Sequence, residues 1–265
     1  MRRSKLLVDG IELSMGEAPG TEPAVLFQHG LLGDLAQSFA LRPKDLPNRW
    51  VTVEMRGHGG SPLGPVEALS LKRFRDDLLA HWDILGERPI VGGASMGAAL
   101  ATMLAAKKKV RGLILVRPAW LDEPAPDNLA ANRAVGALIA EHPGDAGAKL
   151  FERSGTAKAL AKSAPGNLAS FQSFFSRLPQ SETAVLLQSI AADGPDLAGG
   201  LEALDVPALV VAMAEDEVHP VALAEEMARR LPRAKLVQVP VRHHDEAGHF
   251  AALHAAITQF IAELD

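Results

Sequence analysis

The sequence predicts an α/β fold: a mostly parallel sheet covered by helices on both faces, with a helical segment inserted between two halves of the chain. Three observations carry this reading. Short apolar, β-prone runs are bounded by glycine, proline or charge; helix-like runs alternate with them; and the alternation stops over residues 119–200 before resuming.

Taken in order, Leu6 to Val8 and Ile11 to Leu13 flank Asp9-Gly10, a dipeptide suited to a tight hairpin turn. Val25 to Gln28, Trp50 to Met55, Pro89 to Gly92 and Val110 to Val116 follow as buried strands. Between the second and third of these, Leu71, Phe74, Leu78, Trp82 and Leu85 recur at steps of three and four behind Ser70, a capping residue, and so predict an amphipathic helix. Met96 to Ala106 holds alanine, leucine and methionine with little polarity, as suits a helix packed closely on a sheet. Residues 119–200 read as alanine-rich helices punctuated by Pro124, Pro126, Pro143, Pro165 and Pro179, with no strand. The rhythm resumes with a strand at Ala208 to Met213, a helix at Val221 to Leu231, a strand at Lys235 to Val239 and a last helix ending near Leu264. The expected organisation is therefore a core of residues 1–118 and 201–265 with a helical cap at 119–200.

Composition narrows the partners. At 265 residues, 48% hydrophobic and 22% charged, the chain is built to bury a sizeable core. A net charge of -5 gives no footprint for nucleic acid. The basic run Lys107-Lys108-Lys109 with Arg111 falls where a helix ends, and suits that helix dipole. With no cysteine, disulfides, thiolate metal sites and a cysteine nucleophile are excluded. No stretch of about 18 apolar residues is present to span a membrane, and Leu6-Leu7-Val8 is too short for a signal sequence. Cytoplasmic residence is the expectation, with a small-molecule substrate and the oligomeric state open.

Chemistry concentrates at Gly93-Ala94-Ser95-Met96-Gly97, which fits G-x-S-x-G directly between a predicted strand and a predicted helix. So tight a turn strains the serine backbone and needs neighbours without bulk. It also sets the hydroxyl before a helix N-terminus, where free N–H groups favour a developing anion. A serine needs a base, and the base an orienting carboxylate. Of nine histidines, His249 sits in the predicted loop between the last strand and last helix, at the sheet edge where ligands bind. His243 and His244 share that loop nearer the strand and read as surface or supporting residues. The strand ending at Met213 opens into Ala214 to Pro220, in which Asp216 is the chosen carboxylate, flanked by Glu215 and Glu217. Asp122 is the reserve. For the oxyanion, the amides of Met96 and of Leu31, in Gln28-His29-Gly30-Leu31, are the expected donors.

In order along the chain, His29-Gly30, Arg56-Gly57-His58-Gly59-Gly60-Ser61, the Gly93 to Gly97 turn, Asp216 with Pro220, and Gly248-His249 resemble the α/β-hydrolase superfamily. The resemblance covers everything but the cap. It implies the α/β-hydrolase fold, with an eight-stranded, mostly parallel sheet, and a nucleophile, acid and base in the order Ser, Asp, His. It also implies that Arg56 and His58 are structural. Ala94 departs from the histidine or aromatic residue of many relatives, and Met213 from the glycine that often precedes the acid. Serine at the turn sets the chain apart from the haloalkane dehalogenases and epoxide hydrolases, whose nucleophile there is aspartate.

Ester or lactone hydrolysis by Ser95, His249 and Asp216 is therefore expected, with no cofactor. Amide, thioester and carbon–carbon hydrolysis share the machinery, and a hydrolase-like binding protein would lack a reason to keep all three residues. The histidines around Asp245 lack a familiar metal-ligand spacing, so no metal is expected. Phe151, Phe171, Phe174 and Phe175 fall in the cap as either pocket wall or cap core. Arg117, followed by Pro118-Ala119-Trp120, ends an apolar strand at the catalytic edge. It is expected either to bind a carboxylate or polar head group with Trp120 nearby, or to pair with Asp122 or Glu123.

Overall fold

In a computed structural model, which describes residues 1–264, eight strands form one sheet. They are β1 (Arg2–Val8), β2 (Ile11–Ala18), β3 (Thr21–Gln28), β4 (Asn48–Val53), β5 (Ile90–Ser95), β6 (Gly112–Pro118), β7 (Ala208–Met213) and β8 (Ala234–Val239). The order across the sheet is β1-β2-β4-β3-β5-β6-β7-β8. Only the β1–β2 and β2–β4 pairs are antiparallel.

Continuous apolar runs are what a sheet buried on both faces requires. Along β7, Ala208, Val210 and Ala212 enter one core while Leu209, Val211 and Met213 enter the other. β6 divides in the same way, Leu113 and Leu115 against Ile114 and Val116. Each such valine or leucine contributes about 1.5–3 kcal/mol by leaving water.

The helices are α1 (Leu35–Ala40), α2 (Leu71–Leu79), α3 (Met96–Ala105), α4 (Ala130–Glu141), α5 (Asp145–Arg153), α6 (Gly155–Ser163), α7 (Pro165–Phe174), α8 (Gln180–Ala192), α9 (Val221–Arg230) and α10 (Glu246–Ala262). Ser70 caps α2 by accepting from the Arg73 amide. α2 stops at Leu79, short of the expected Leu85, and a 3-10 turn at Trp82–Leu85 carries the apolar stripe onward. The six-residue α1 is too short to leave a periodic signal. β1 begins earlier than its apolar residues because Arg2 to Lys5 pair with β2 as an exposed, charged edge. α4 to α8 all lie between β6 and β7, which are neighbours in the sheet, and among the described residues no strand intervenes. No described helix is long and apolar enough to cross a membrane.

Candidate active site

Ser95 ends β5 with φ 55° and ψ -112°, a conformation that L-residues rarely adopt. Its neighbours show why glycine is needed on either side. A Cβ on Gly93 would lie 2.4 Å from the carbonyl carbon of Gly97, and one on Gly97 would lie 2.2 Å from the carbonyl oxygen of Gln28. The strand-to-helix turn is thus pressed against itself and against the end of β3. Met96 is the first residue of α3, so its amide has no acceptor within the helix.

The β3 end is fixed from behind. His29 Nδ1–H donates to the Gly30 carbonyl (2.8 Å), and its Nε2 accepts from the Met55 amide (3.1 Å). The Gly30 amide donates to Gln37 Oε1 (2.7 Å), and no described acceptor engages the amide of Leu31. His58 packs against His29 with ring centroids 4.8 Å apart and the rings tilted by 39°. Arg56 is held in a buried two-point ion pair with Asp77, at 2.7 and 2.9 Å. Neither Arg56 nor His58 reaches the cavity described next.

Ser95 and His249 line one cavity of about 360 Å³, together with Leu31, Arg117, Trp120 and His219. His249 lies in the first turn of α10, not in the loop before it, because Asp245 caps the helix by accepting from Gly248 N (2.8 Å). It donates Nδ1–H to the Pro240 carbonyl (2.8 Å), which leaves Nε2 as the basic nitrogen. Burial lowers the His249 pKa, the Pro240 bond partly opposes this, and the positive charges of Arg117 and Arg242 lower it further. The imidazole is accordingly neutral at pH 7.

The bond expected between Asp216 and His249 is not formed among the described residues. The Asp216 carboxylate is saturated instead: it accepts from Arg117 Nε (2.7 Å) and Nη2 (2.5 Å), Asn167 Nδ2 (2.9 Å), the His219 amide (3.0 Å) and His219 Nδ1 (2.9 and 3.0 Å). Burial alone would raise its pKa, but the His219 and Arg117 groups and the Asn167 amide hold it well below the usual carboxylate range. Arg117 therefore pairs with neither Asp122 nor Glu123. Asp122, the reserve carboxylate, is bound by Arg230 at 2.5 Å.

His219 and Asn167 are site residues that the sequence reading missed. His219 lies three residues after Asp216, a spacing that could have suggested the pair; Asn167, in α7, carries no such signal. Its Oδ1 also accepts from the Glu217 amide (2.7 Å), tying α7 to the β7–α9 turn.

The phenylalanines divide. Phe151, Phe171 and Phe175 are buried against one another as cap core, while Phe171 and Phe174 also face the cavity. Trp120 is buried at the cavity wall, its indole N–H donating to the Asp193 carbonyl (2.9 Å). His243 and His244 place Nε2 at 3.1 and 3.0 Å from the Glu215 carboxylate on the surface.

Strain gathers at this sheet edge. Leu32, Ser95 and Arg117 all line the cavity with positive φ, and Glu215 beside Asp216 shares that conformation.

Comparison with known proteins follows the same lines. A family model described as "Alpha/beta hydrolase family" matches residues 25–263. A pimeloyl-[acyl-carrier protein] methyl ester esterase of Neisseria meningitidis is 29% identical over 224 residues, spanning 79% of this chain and 83% of that protein. A solved thermophilic esterase from Thermogutta terrifontis superposes with TM-score 0.69 at 25% identity, over 99% of this chain and 97% of that one. The enol-lactonase from Burkholderia xenovorans LB400 shares the fold, with TM-score 0.68 at 22% identity over 98% and 100% of the two chains.

Proposed function

Because the chain belongs to the alpha/beta hydrolase family, we propose that it cleaves a carboxylic ester or lactone of a small molecule through an acyl-enzyme on Ser95. The observation that carries this reading is the strained Ser95, opening into the same cavity as a neutral imidazole whose other nitrogen is already engaged.

In the first step Ser95 Oγ attacks the carbonyl carbon and His249 Nε2 takes its proton. The negative charge developing on the carbonyl oxygen is met by the amides of Leu31 and Met96, neither of which is committed to another acceptor. The imidazolium then gives its proton to the leaving alkoxide, and the alcohol departs. Water, deprotonated by the same nitrogen, attacks the acyl carbon; the acyl–Oγ bond breaks, the imidazolium returns its proton to Ser95 Oγ, and the acid is released. In this scheme the Pro240 carbonyl does the orienting that the sequence assigns to Asp216, and Asp216 fixes the cavity wall through Arg117 and His219. Residues 119–200 act as a roof, contributing Asn167, Phe171 and Phe174 over the nucleophile.

A panel of p-nitrophenyl esters, lactones and thioesters, assayed with wild type and Ser95→Ala, tests the reading. Esters or lactones are turned over by wild type, and Ser95→Ala loses roughly six decades of kcat. Undiminished turnover in Ser95→Ala would overturn the assignment.

A further inference from the structure

One wall of the cavity carries polar groups that the hydrolytic mechanism leaves unused. Arg117 gives Nε and Nη2 to Asp216, Nη2 also lies 3.0 Å from His219 Nδ1, and Nη1 makes no hydrogen bond to a described residue. His219 lines the cavity, is 9% exposed, and has a buried Nε2 without a partner. Its Nδ1 lies within 3.0 Å of both Asp216 oxygens and of Arg117 Nη2; because Nη2 already donates to Asp216 at 2.5 Å and two anionic oxygens face Nδ1, the proton sits on Nδ1 and Nε2 is a bare acceptor. Asn132, reaching in from α4, adds a buried side-chain oxygen that likewise has no donor. The residues of this wall thus hold two buried acceptors without donors, beside Arg117 Nη1 and the Asn132 side-chain nitrogen, which donate to no described residue, and leaving such groups unpaired costs binding.

Charge decides what kind of ligand fits. The Arg117 cation is already matched by the Asp216 anion, so an incoming carboxylate would find the positive charge spent and two lone pairs facing it. A neutral carboxamide brings two N–H donors and an oxygen acceptor and would satisfy both acceptors and the Arg117 donor, whereas a hydroxyl, with one O–H, would satisfy the Arg117 donor and one of the two acceptors.

We propose that Arg117, His219 and Asn132 form a specificity subsite for esters whose acyl or alcohol part bears a neutral hydroxyl or carboxamide. The inference rests on the hydrolase reading above and narrows its substrate class. It keeps Arg117 as a substrate-binding residue, but for a neutral head group in place of an anion.

The test uses four methyl esters of similar length: butanoate, 3-hydroxybutanoate, succinamate and hydrogen succinate. Wild type should turn over the hydroxy and carboxamide esters with kcat/KM about tenfold or more above the other two. Whichever of the two polar esters is preferred identifies hydroxyl or carboxamide as the natural group. In His219→Phe that preference should collapse, the polar esters losing at least about tenfold more than butanoate, with the loss chiefly in KM; His219→Gln, which restores an acceptor, should recover part of it. Comparable rates on all four esters in wild type would overturn the proposal without touching the hydrolase reading. Preference for hydrogen succinate would overturn it in favour of an anion site. Equal losses on polar and unsubstituted esters in His219→Phe would also overturn it. Failure to turn over any ester, with wild type no faster than Ser95→Ala, would overturn both readings.

Discussion

The turn after β5 and the turn after β7 each follow a parallel strand and each carry a residue with positive φ, Ser95 at 55° as the last residue of β5 and Glu215 at 54° two residues beyond β7. They are built differently. The first is local: Gly93, Gly97 and the facing Gln28 carbonyl leave one shape available, and the serine is presented as a consequence. The second is assembled from afar, Asp216 being fixed by Arg117, 99 residues earlier, and by Asn167, 49 residues earlier. A tight backbone contact can enforce a nucleophile with a few small residues. A buried carboxylate needs partners, and whichever donors arrive decide what the carboxylate does.

That contrast is sharpest at the base. If His249 depends on the Pro240 carbonyl, His249→Ala should fall within about tenfold of Ser95→Ala in kcat, because residues acting as a unit are lost together. Asp216→Asn should lose far less turnover of an unsubstituted ester, fewer than about three decades. A drop of about four decades, as when a true triad carboxylate is removed, would erase the distinction between the two turns.

Next in size is stability. Asp216→Ala strips the acceptor from Arg117, Asn167 and His219, and should cost about 3 kcal/mol in chemical denaturation, moderated because 27% of the Arg117 side chain is exposed. Since the Asp216 pKa is depressed from 3.8, this contribution is present above that pH and lost as pH falls through the lower folded value. The wild-type advantage over Asp216→Ala should therefore shrink on acidification. Gly97→Ala, by contrast, should cost about 2 kcal/mol from overpacking against the Gln28 carbonyl and should not depend on pH.

The smallest effect is electrostatic. With its pKa below 6.5, His249 is deprotonated at neutrality, so kcat/KM should be flat there and fall only on an acid limb centred below 6.5. Arg242→Ala removes a cation that disfavours the imidazolium, and should move that limb upward. A limb moving downward would reverse the sign of the interaction.

These differences also explain what could be read from the chain. Both-face burial writes β5, β6 and β7 as apolar runs, and steric need writes the Ser95 turn as glycines at fixed spacing, so the fold and the strained turn at Ser95 were legible. His249 was legible as a residue but not as part of a helix, since Asp245 as an N-cap draws the start of α10 forward. The Asp216 partnership was not legible. Which donors reach a carboxylate depends on where β6 ends and how α7 is laid over the sheet, and nothing near Asp216 encodes either. The short α1 and the charged edge of β1 escaped because neither carries an apolar period.

Mapping of a fluorophosphonate adduct by mass spectrometry bears most directly on Ser95 as an activated nucleophile. At neutral pH wild type should acquire a single phosphonyl group on Ser95, absent from Ser95→Ala and much slower to form in His249→Ala. No adduct on wild type, or one carried by a different residue, would contradict it.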